Sequence, residues 1–341
     1  MKKASFSAIG FGADSPAGEV SFSLRRLTEQ RRVSPQDMHE DRIAELSIEL
    51  SNRLFPAPST ELDIETIALS ALALSDYNPE KAKELRDLLY RTQEKGDGGG
   101  GWRPRPSLPC SSWVTSLAMI ALAMDGNQEC LGKALQWLLA QAGRESSFWV
   151  WLRFRFLDRR VHFNPRFYGW PWTEGTLSWV VPTAFGIMAT RLCTACQRPR
   201  EAAQRLSSAV KMLYDRACPN GGWNAGNGVV DGVALLPRLE PTAIALLALR
   251  GLSPRSPLIA ASLEWVQRQA ATCAAPWSLS WAILCCFAYG VDTQNLKAQL
   301  TDLTVKQSQY SCVEIAAALL ALEAGQIVVP FVMPDEESED V

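Results

Sequence analysis

Asp63-Ile64-Glu65 sets two carboxylates two positions apart, directly ahead of Thr66 and a run of apolar residues. Carboxylates held that close raise one another's pKa, and a carboxyl kept neutral in this way can hand a proton to a substrate. The same residues suit the first turn of a helix, where a side chain caps free N–H groups and a negative charge meets the positive end of the dipole. Capping is the plainer role. Glu174 and Asp231 are further acids near the starts of apolar runs. Histidine chemistry is narrow, because the chain has only His39 and His162. Cys193-Thr-Ala-Cys196 has CxxC spacing without a second CxxC or a neighbouring His, so a core or chance pairing outweighs zinc or redox use. DGGGGW (97–102) lacks the Lys-Ser/Thr and the strand context of a phosphate-binding loop. Neither a metal site nor a cofactor is expected.

Charge and composition narrow the partners. With 34 basic and 36 acidic residues the formal charge is −2, without the basic surplus of a nucleic-acid binder. Nine cysteines, several inside apolar helical patterns (Cys285, Cys286, Cys312), read as buried thiols in a reducing compartment. The opening MKKASFSAIGFGADSPAGEV has no sustained apolar stretch of a signal peptide. Apolar runs such as 117–124 and 243–249 fall short of the ~20 residues needed to span a bilayer. A cytoplasmic location is expected.

The carboxylates sit within a repeat. Apolar runs begin at 65, 114, 182, 241, 280 and 314, with starts such as Glu65-Thr66-Ile67, Pro182-Thr183-Ala184 and Pro241-Thr242-Ala243. They are apolar nearly all round, which predicts buried helices. A more amphipathic helix follows in most units, as in KAKELRDLLYRTQ (81–93), LGKALQWLLAQ (131–141), AAQRLSSAVKMLYDRA (202–217) and LIAASLEWVQRQ (258–269). An irregular turn then delivers a tryptophan: DGGGGW (97–102), NGGW (220–223), TCAAPW (272–277). The pairs Gln93 to Trp102, Gln141 to Trp149 and Gln269 to Trp277 share this spacing. A two-helix unit repeated about six times is expected. An open superhelix of equivalent pairs has no need for one helix of each pair to be apolar all round. A closed α/α barrel does, since its inner layer faces both the cavity and the outer layer.

WLLAQ, WVQRQ, DGGGGW, NGGWN, WTEGTLSWVVPTAFGIM (172–188) and LEPTAIALLAL (239–249) together resemble the prenyltransferase/squalene-oxidase repeat family, over roughly residues 60–325. The family comprises terpenoid cyclases and protein prenyltransferase β-subunits. The resemblance implies an all-α, (α/α)6-type toroid, a double-layered helical barrel of helix-pair repeats. It implies an isoprenoid or related apolar substrate in a central aromatic cavity. Class II cyclases of this family protonate an alkene or epoxide from the central Asp of a DxDD segment, which this chain lacks. In the matching frame stands Arg238-Leu239-Glu240-Pro241, so the resemblance gives Glu240 as the best acid. Arg238 is expected to favour its ionised form and so to oppose that role, and a plain helix N-terminal carboxylate is the alternative. The zinc ligands of the prenyltransferases are missing, since neither His lies at the start of an apolar run. Trp113, Trp172, Trp179 and Trp281 fall at or near helix starts where the family's cavity opens, and suit an isoprenoid chain or a carbocation. Packing between repeats is the other reading.

Residues 144–172 break the rhythm, with 10 of the 30 aromatics and six Arg. They are expected to form an insertion, either a membrane-contacting element or an outer helix with its Arg reaching to water. The expected organisation is an N-terminal helical extension (1–58), the toroid (59–330) and an acidic disordered tail (331–341). The alternative function is a non-catalytic toroid binding lipid or a partner protein.

Overall fold

The computed structural model describes residues 35–55, 62–156, 163–193, 199–252, 256–306, 309–325 and 331. Residues 1–34, the stretch 157–162 with His162, Cys196 and the acidic run 335–340 lie outside these, and so do the expectations attached to them. The chain divides into a unit of residues 1–38 and a unit of residues 39–341. The helical repeat lies in the second unit.

The helices run in chain order as α1 (Pro35–Leu54), α2 (Ile64–Ala73), α3 (Pro79–Thr92), α4 (Ser112–Leu122), α5 (Gln128–Ala140), α6 (Phe148–Phe156) and α7 (Val180–Leu192). They continue as α8 (Pro199–Asp215), α9 (Leu239–Leu249), α10 (Pro257–Ala270), α11 (Pro276–Ala288), α12 (Gln294–Lys306) and α13 (Cys312–Leu322). A hairpin of β1 (Val229–Val230) and β2 (Val233–Ala234) interrupts them. Among the described residues the structure is all-α apart from that hairpin and an isolated bridge between Pro171 and Ser178. Among the described residues no helix is long and apolar enough to cross a membrane.

The six apolar runs are α2, α4, α7, α9, α11 and α13. Their Ala, Leu and Ile residues favour helix and carry apolar side chains to every face. Each is buried along nearly its whole length. Each packs on two others, in the order α2, α4, α7, α9, α11, α13, and α13 packs back on α2. The amphipathic helices α3, α5, α8, α10 and α12 each pack on the apolar helix just before them. Helix α6 is the extra element that the long 114-to-182 interval foretold.

The main unit begins at residue 39, well before the expected boundary at 58. Ile43, Leu46, Leu50 and Leu54 of α1 repeat at helical spacing and are buried in the core. Arg42 donates to the Thr304 carbonyl of α12 at 2.6 Å, and Arg53 donates to the Tyr310 carbonyl. His39 donates from Nε2 to the Leu322 carbonyl at 3.2 Å, and Lys297 reaches the Leu322 and Ala324 carbonyls at 2.8 and 2.6 Å. These donors satisfy the free carbonyls at the end of α13. Burial lowers the His39 pKa, so this histidine is a neutral staple between helices.

Three tryptophans weld the helix pairs together by one repeated set of bonds. The indole N–H of Trp102, Trp170 and Trp223 donates to the carbonyl of Leu89, Leu138 and Leu213, near the ends of α3, α5 and α8, at 2.9, 2.8 and 2.6 Å. Their backbone N–H groups donate to the hydroxyls of Thr115, Thr183 and Thr242 on the next apolar helix, at 2.9, 3.0 and 2.9 Å. Each Trp thus bonds a carbonyl near the end of the helix behind it and holds a helix start ahead of it. The expected partner of Gln141, Trp149, is not in this set. It is 75% exposed on α6, and Trp170 holds its place. Counting forward from Gln141 runs into α6 before it reaches the turn. Gln93 does clasp its turn, donating to the carbonyls of Gly100 and Cys130 at 2.9 and 3.0 Å.

Candidate functional site

Helix starts bring the carboxylates to the site. Asp63 is the N-cap of α2, accepting from the Thr66 N–H at 2.8 Å. Glu65 lies in the first turn and is half-buried. The Ile64 N–H donates across to the Pro104 carbonyl at 3.2 Å, and the Val180 N–H does the same to Ala225 at 3.0 Å. The loops between pairs therefore hold the N-terminal ends of neighbouring apolar helices.

The charge of Glu240 reaches Glu65 although α2 and α9 stand three places apart in the packing order. Burial, then the charges of Asp63 and Glu240, push the Glu65 carboxyl up to about 8. Glu240 is raised as well. Its burial outweighs the hydrogen bond from Trp277 and the charge of Arg238, both of which lower it. Arg238 does favour the ionised form, as expected, but its effect is smaller than that of burial. A carboxyl raised to about 8, as at Glu65, can carry a proton at neutral pH.

Aromatic rings continue inward from Glu240. Trp277 packs edge to face on Trp281, with centroids 5.7 Å apart. Trp281 packs on Phe185 at 5.6 Å and on Phe331 at 5.2 Å. Trp281 is fully buried, and its indole N–H has no hydrogen-bond partner among the described residues. A cavity of about 330 Å³ adjoins Glu240, walled by Pro237, Arg238, Trp265, Gln269 and Cys273. A larger one, about 710 Å³, lies over the start of α2 and the end of α3, with Arg91, Lys95, Arg103 and Arg105 on its rim.

The other expected residues divide. Trp113 and Trp172 meet edge to face at 5.3 Å, and the Ser111 hydroxyl donates to the Trp172 carbonyl. Trp179 is the N-cap residue of α7 and is exposed, with its ring against Gly226. Glu174 is exposed in the turn 171–178 and makes no part of the carboxyl pair. Asp231 is also outside it: with φ 49, followed by Gly232 at φ 79, it forms the tight turn of the β1–β2 hairpin. Trp277, Phe185 and Phe331 are additions from the structure. The i, i+4 spacing of Trp277 and Trp281 was the available signal for the first of these.

The 144–172 segment is anchored at both ends. Glu145 is fully buried, ion-paired to Arg216 at 3.2 Å, and accepts from the Ser178 N–H at 3.1 Å. Arg205 is buried against the Trp170 ring at 4.2 Å and donates to the carbonyls of Gln141 and Gly169 at 2.7 and 3.0 Å. Between these anchors α6 stands out, with Phe148 and Phe156 each 63% exposed beside Trp149. Among the described residues, no group of three or more His, Cys, Asp or Glu is arranged to hold a metal ion. Compared with known proteins, the chain matches no family model and no curated sequence.

Proposed function

We propose that the chain is an (α/α)6 toroid that binds an isoprenoid or related apolar molecule among its inner helices and protonates it from the Glu65–Glu240 pair. The closed packing order of the six apolar helices supports the toroid. The observation that carries the function is a carboxyl raised to about 8, in part by the charge of Glu240, which is itself raised and hydrogen-bonded to Trp277 at one end of a line of aromatic rings. A neutral acid in such a place can add its proton to an alkene or epoxide. One O–H bond breaks, one bond to hydrogen forms on the substrate, and the ring faces of Trp277, Trp281 and Phe185 stabilise the resulting cation. Loss of a proton from a neighbouring carbon returns the charge and leaves an isomer of the substrate. Glu65 is the better donor of the two, with Glu240 as its partner.

The direct test is incubation with linear polyprenyl alcohols and epoxides, followed by mass spectrometry of the extract. Conversion is expected for the wild type and loss of conversion for Glu65→Gln. Conversion unchanged in a Glu65→Gln/Glu240→Gln double variant rules out the acid pair.

A non-catalytic lipid binder is the second reading, and exposed α6 favours it. Phe148, Trp149 and Phe156 stand in water beside Arg144, Arg153 and Arg166, an arrangement suited to the surface of an anionic bilayer. Peripheral membrane contact of this kind serves either reading, since both need an apolar ligand delivered from lipid.

A further inference from the structure

The cavity of about 710 Å³ opens between the start of α2 and the end of α3, and its lining includes neither Glu65 nor Glu240. Its floor is apolar. Ile64 and Ile67 of α2 are buried there, and Leu62 and Leu88 are half-buried against the core. The space itself follows from the repeat. The cavity beside Glu240 has the same place in another helix pair, between the start of α9 and the end of α10, with Gln269 where Gln93 stands here. One Arg and one Glu line that cavity, so its charges balance. Here Arg91, Lys95, Arg103 and Arg105 stand against Glu94 alone.

Glu94 is already engaged. It pairs with Arg103 at 2.5 Å, and its backbone N–H donates to the Gly101 carbonyl at 3.0 Å, which closes the loop that carries the rim. Arg91, Lys95 and Arg105 are exposed and make no ion pair among the described residues. Capping of α3 does not occupy them. The Leu88 carbonyl accepts from the Thr92 hydroxyl at 2.8 Å, and the Leu89 carbonyl from the Trp102 indole. Arg91 uses only its Nε, on the Asp87 carbonyl at 3.3 Å, and keeps both terminal nitrogens for another partner. Glu84 and Asp87 line an adjoining cavity of about 350 Å³ that also touches Arg91, and Glu84 is paired with Lys81 at 3.1 Å. With Asp87 counted, the rim is still positive.

An apolar floor under a cationic rim selects a ligand with both characters. Guanidinium groups hold phosphate oxygens in a fixed fork, and a phosphate monoester brings about two negative charges where a carboxylate brings one. We infer that this cavity binds a single-chain amphiphile with a phosphate monoester head, its chain on Leu62, Ile64, Ile67 and Leu88 and its head among Arg91, Lys95 and Arg105. Occupation of this site does not depend on proton delivery from Glu65.

Calorimetry on the full-length protein, with dodecyl phosphate below its micelle concentration, tests the site. Dodecyl phosphate is expected to bind the wild type on the order of a hundredfold more tightly than inorganic phosphate, since about three or four buried methylenes suffice for that factor. It is also expected to bind more tightly than dodecanoate or dodecanol. In the Arg91→Gln/Lys95→Gln/Arg105→Gln variant its affinity should fall about tenfold or more. All three residues are exposed, so the variant should keep the wild-type denaturation midpoint. Should it fail to fold, Lys95→Gln and Arg105→Gln singly should each weaken binding several-fold. Absence of binding to the wild type, or equal binding to the variants, overturns the site. Inorganic phosphate binding as tightly as dodecyl phosphate overturns the role of the floor. Dodecanoate or dodecanol binding as tightly overturns the phosphate head. Sedimentation with phosphatidic acid vesicles separates a soluble ligand from a lipid surface, and the triple variant should sediment as the wild type does. Sedimentation lost in the triple variant, with no dodecyl phosphate bound by the wild type, makes the rim a membrane contact and overturns the cavity.

Discussion

A carboxyl that titrates near 8 is mostly protonated at pH 7, so Glu65 enters the folded state neutral, while in the unfolded chain it ionises near its ordinary value of 4.5. Between those two pH values the folded state holds a proton that the unfolded state has lost. Stability from this site is therefore highest at low pH and falls as pH rises from about 4.5 to about 8. Glu65→Gln removes the fall. In urea unfolding the variant should gain on the wild type by roughly 3 kcal/mol between pH 5 and pH 9. A difference that does not change with pH contradicts the raised carboxyl. Glu323, buried at the end of α13 and also raised to about 8 by burial and Asp76, gives a parallel fall in the same window. The Glu65→Gln comparison leaves that background in place. The Asp63–Glu65 spacing was legible as a pair of acids. The charge effect of Glu240 on Glu65 was not, because it joins helix starts far apart in the chain.

At the scale of elements, tryptophan separates packing from display. Trp170 is fully buried and its hydrogen bonds join α5 to α7, whereas Trp149 lies out on α6. Trp170→Ala should cost about 3–5 kcal/mol, and Trp149→Ala should stay within about 0.5 kcal/mol. Equal losses by chemical denaturation would contradict the assignment. Close approach at Trp170 also explains Gly186 on α7, where a Cβ would stand 2.4 Å from the indole ring. Helix periodicity and the recurring Thr at helix starts made the repeat readable. It failed at Trp149 because α6 adds aromatic residues of its own inside the counted interval. For α6, sedimentation with anionic vesicles should pull down the wild type and lose a Trp149→Ser/Phe156→Ser variant several-fold, with little change in stability. Equal sedimentation of the two, or none for the wild type, removes the membrane contact. The buried Glu145–Arg216 pair holds this segment down. Glu145→Ala should destabilise by roughly 3 kcal/mol, since it leaves the Arg216 charge buried and unpaired.

Across the whole of residues 39–341, one division of labour recurs. Apolar helices supply the interior, amphipathic helices shield them, and helix starts carry the polar groups. Helix α1 fits this pattern as a further amphipathic helix, although its sequence is set apart from the repeat by Pro56 and Pro58 and reads as an extension. Phe331 was illegible for the opposite reason, since one aromatic residue ahead of an acidic run carries no periodic signal. Under the proposed function, the neutral acid and the aromatic rings act together to deliver a proton to an apolar substrate. Deuterium tests that delivery most directly. Polyprenyl alcohols and epoxides are incubated in D2O with the wild type and the Glu65→Gln/Glu240→Gln variant, and the extracts are examined for deuterium bound to carbon. The wild type should place one deuteron on a product carbon, and the double carboxyl variant none. Label in the double variant equal to that of the wild type, or none in either, would contradict proton delivery from Glu65 and Glu240.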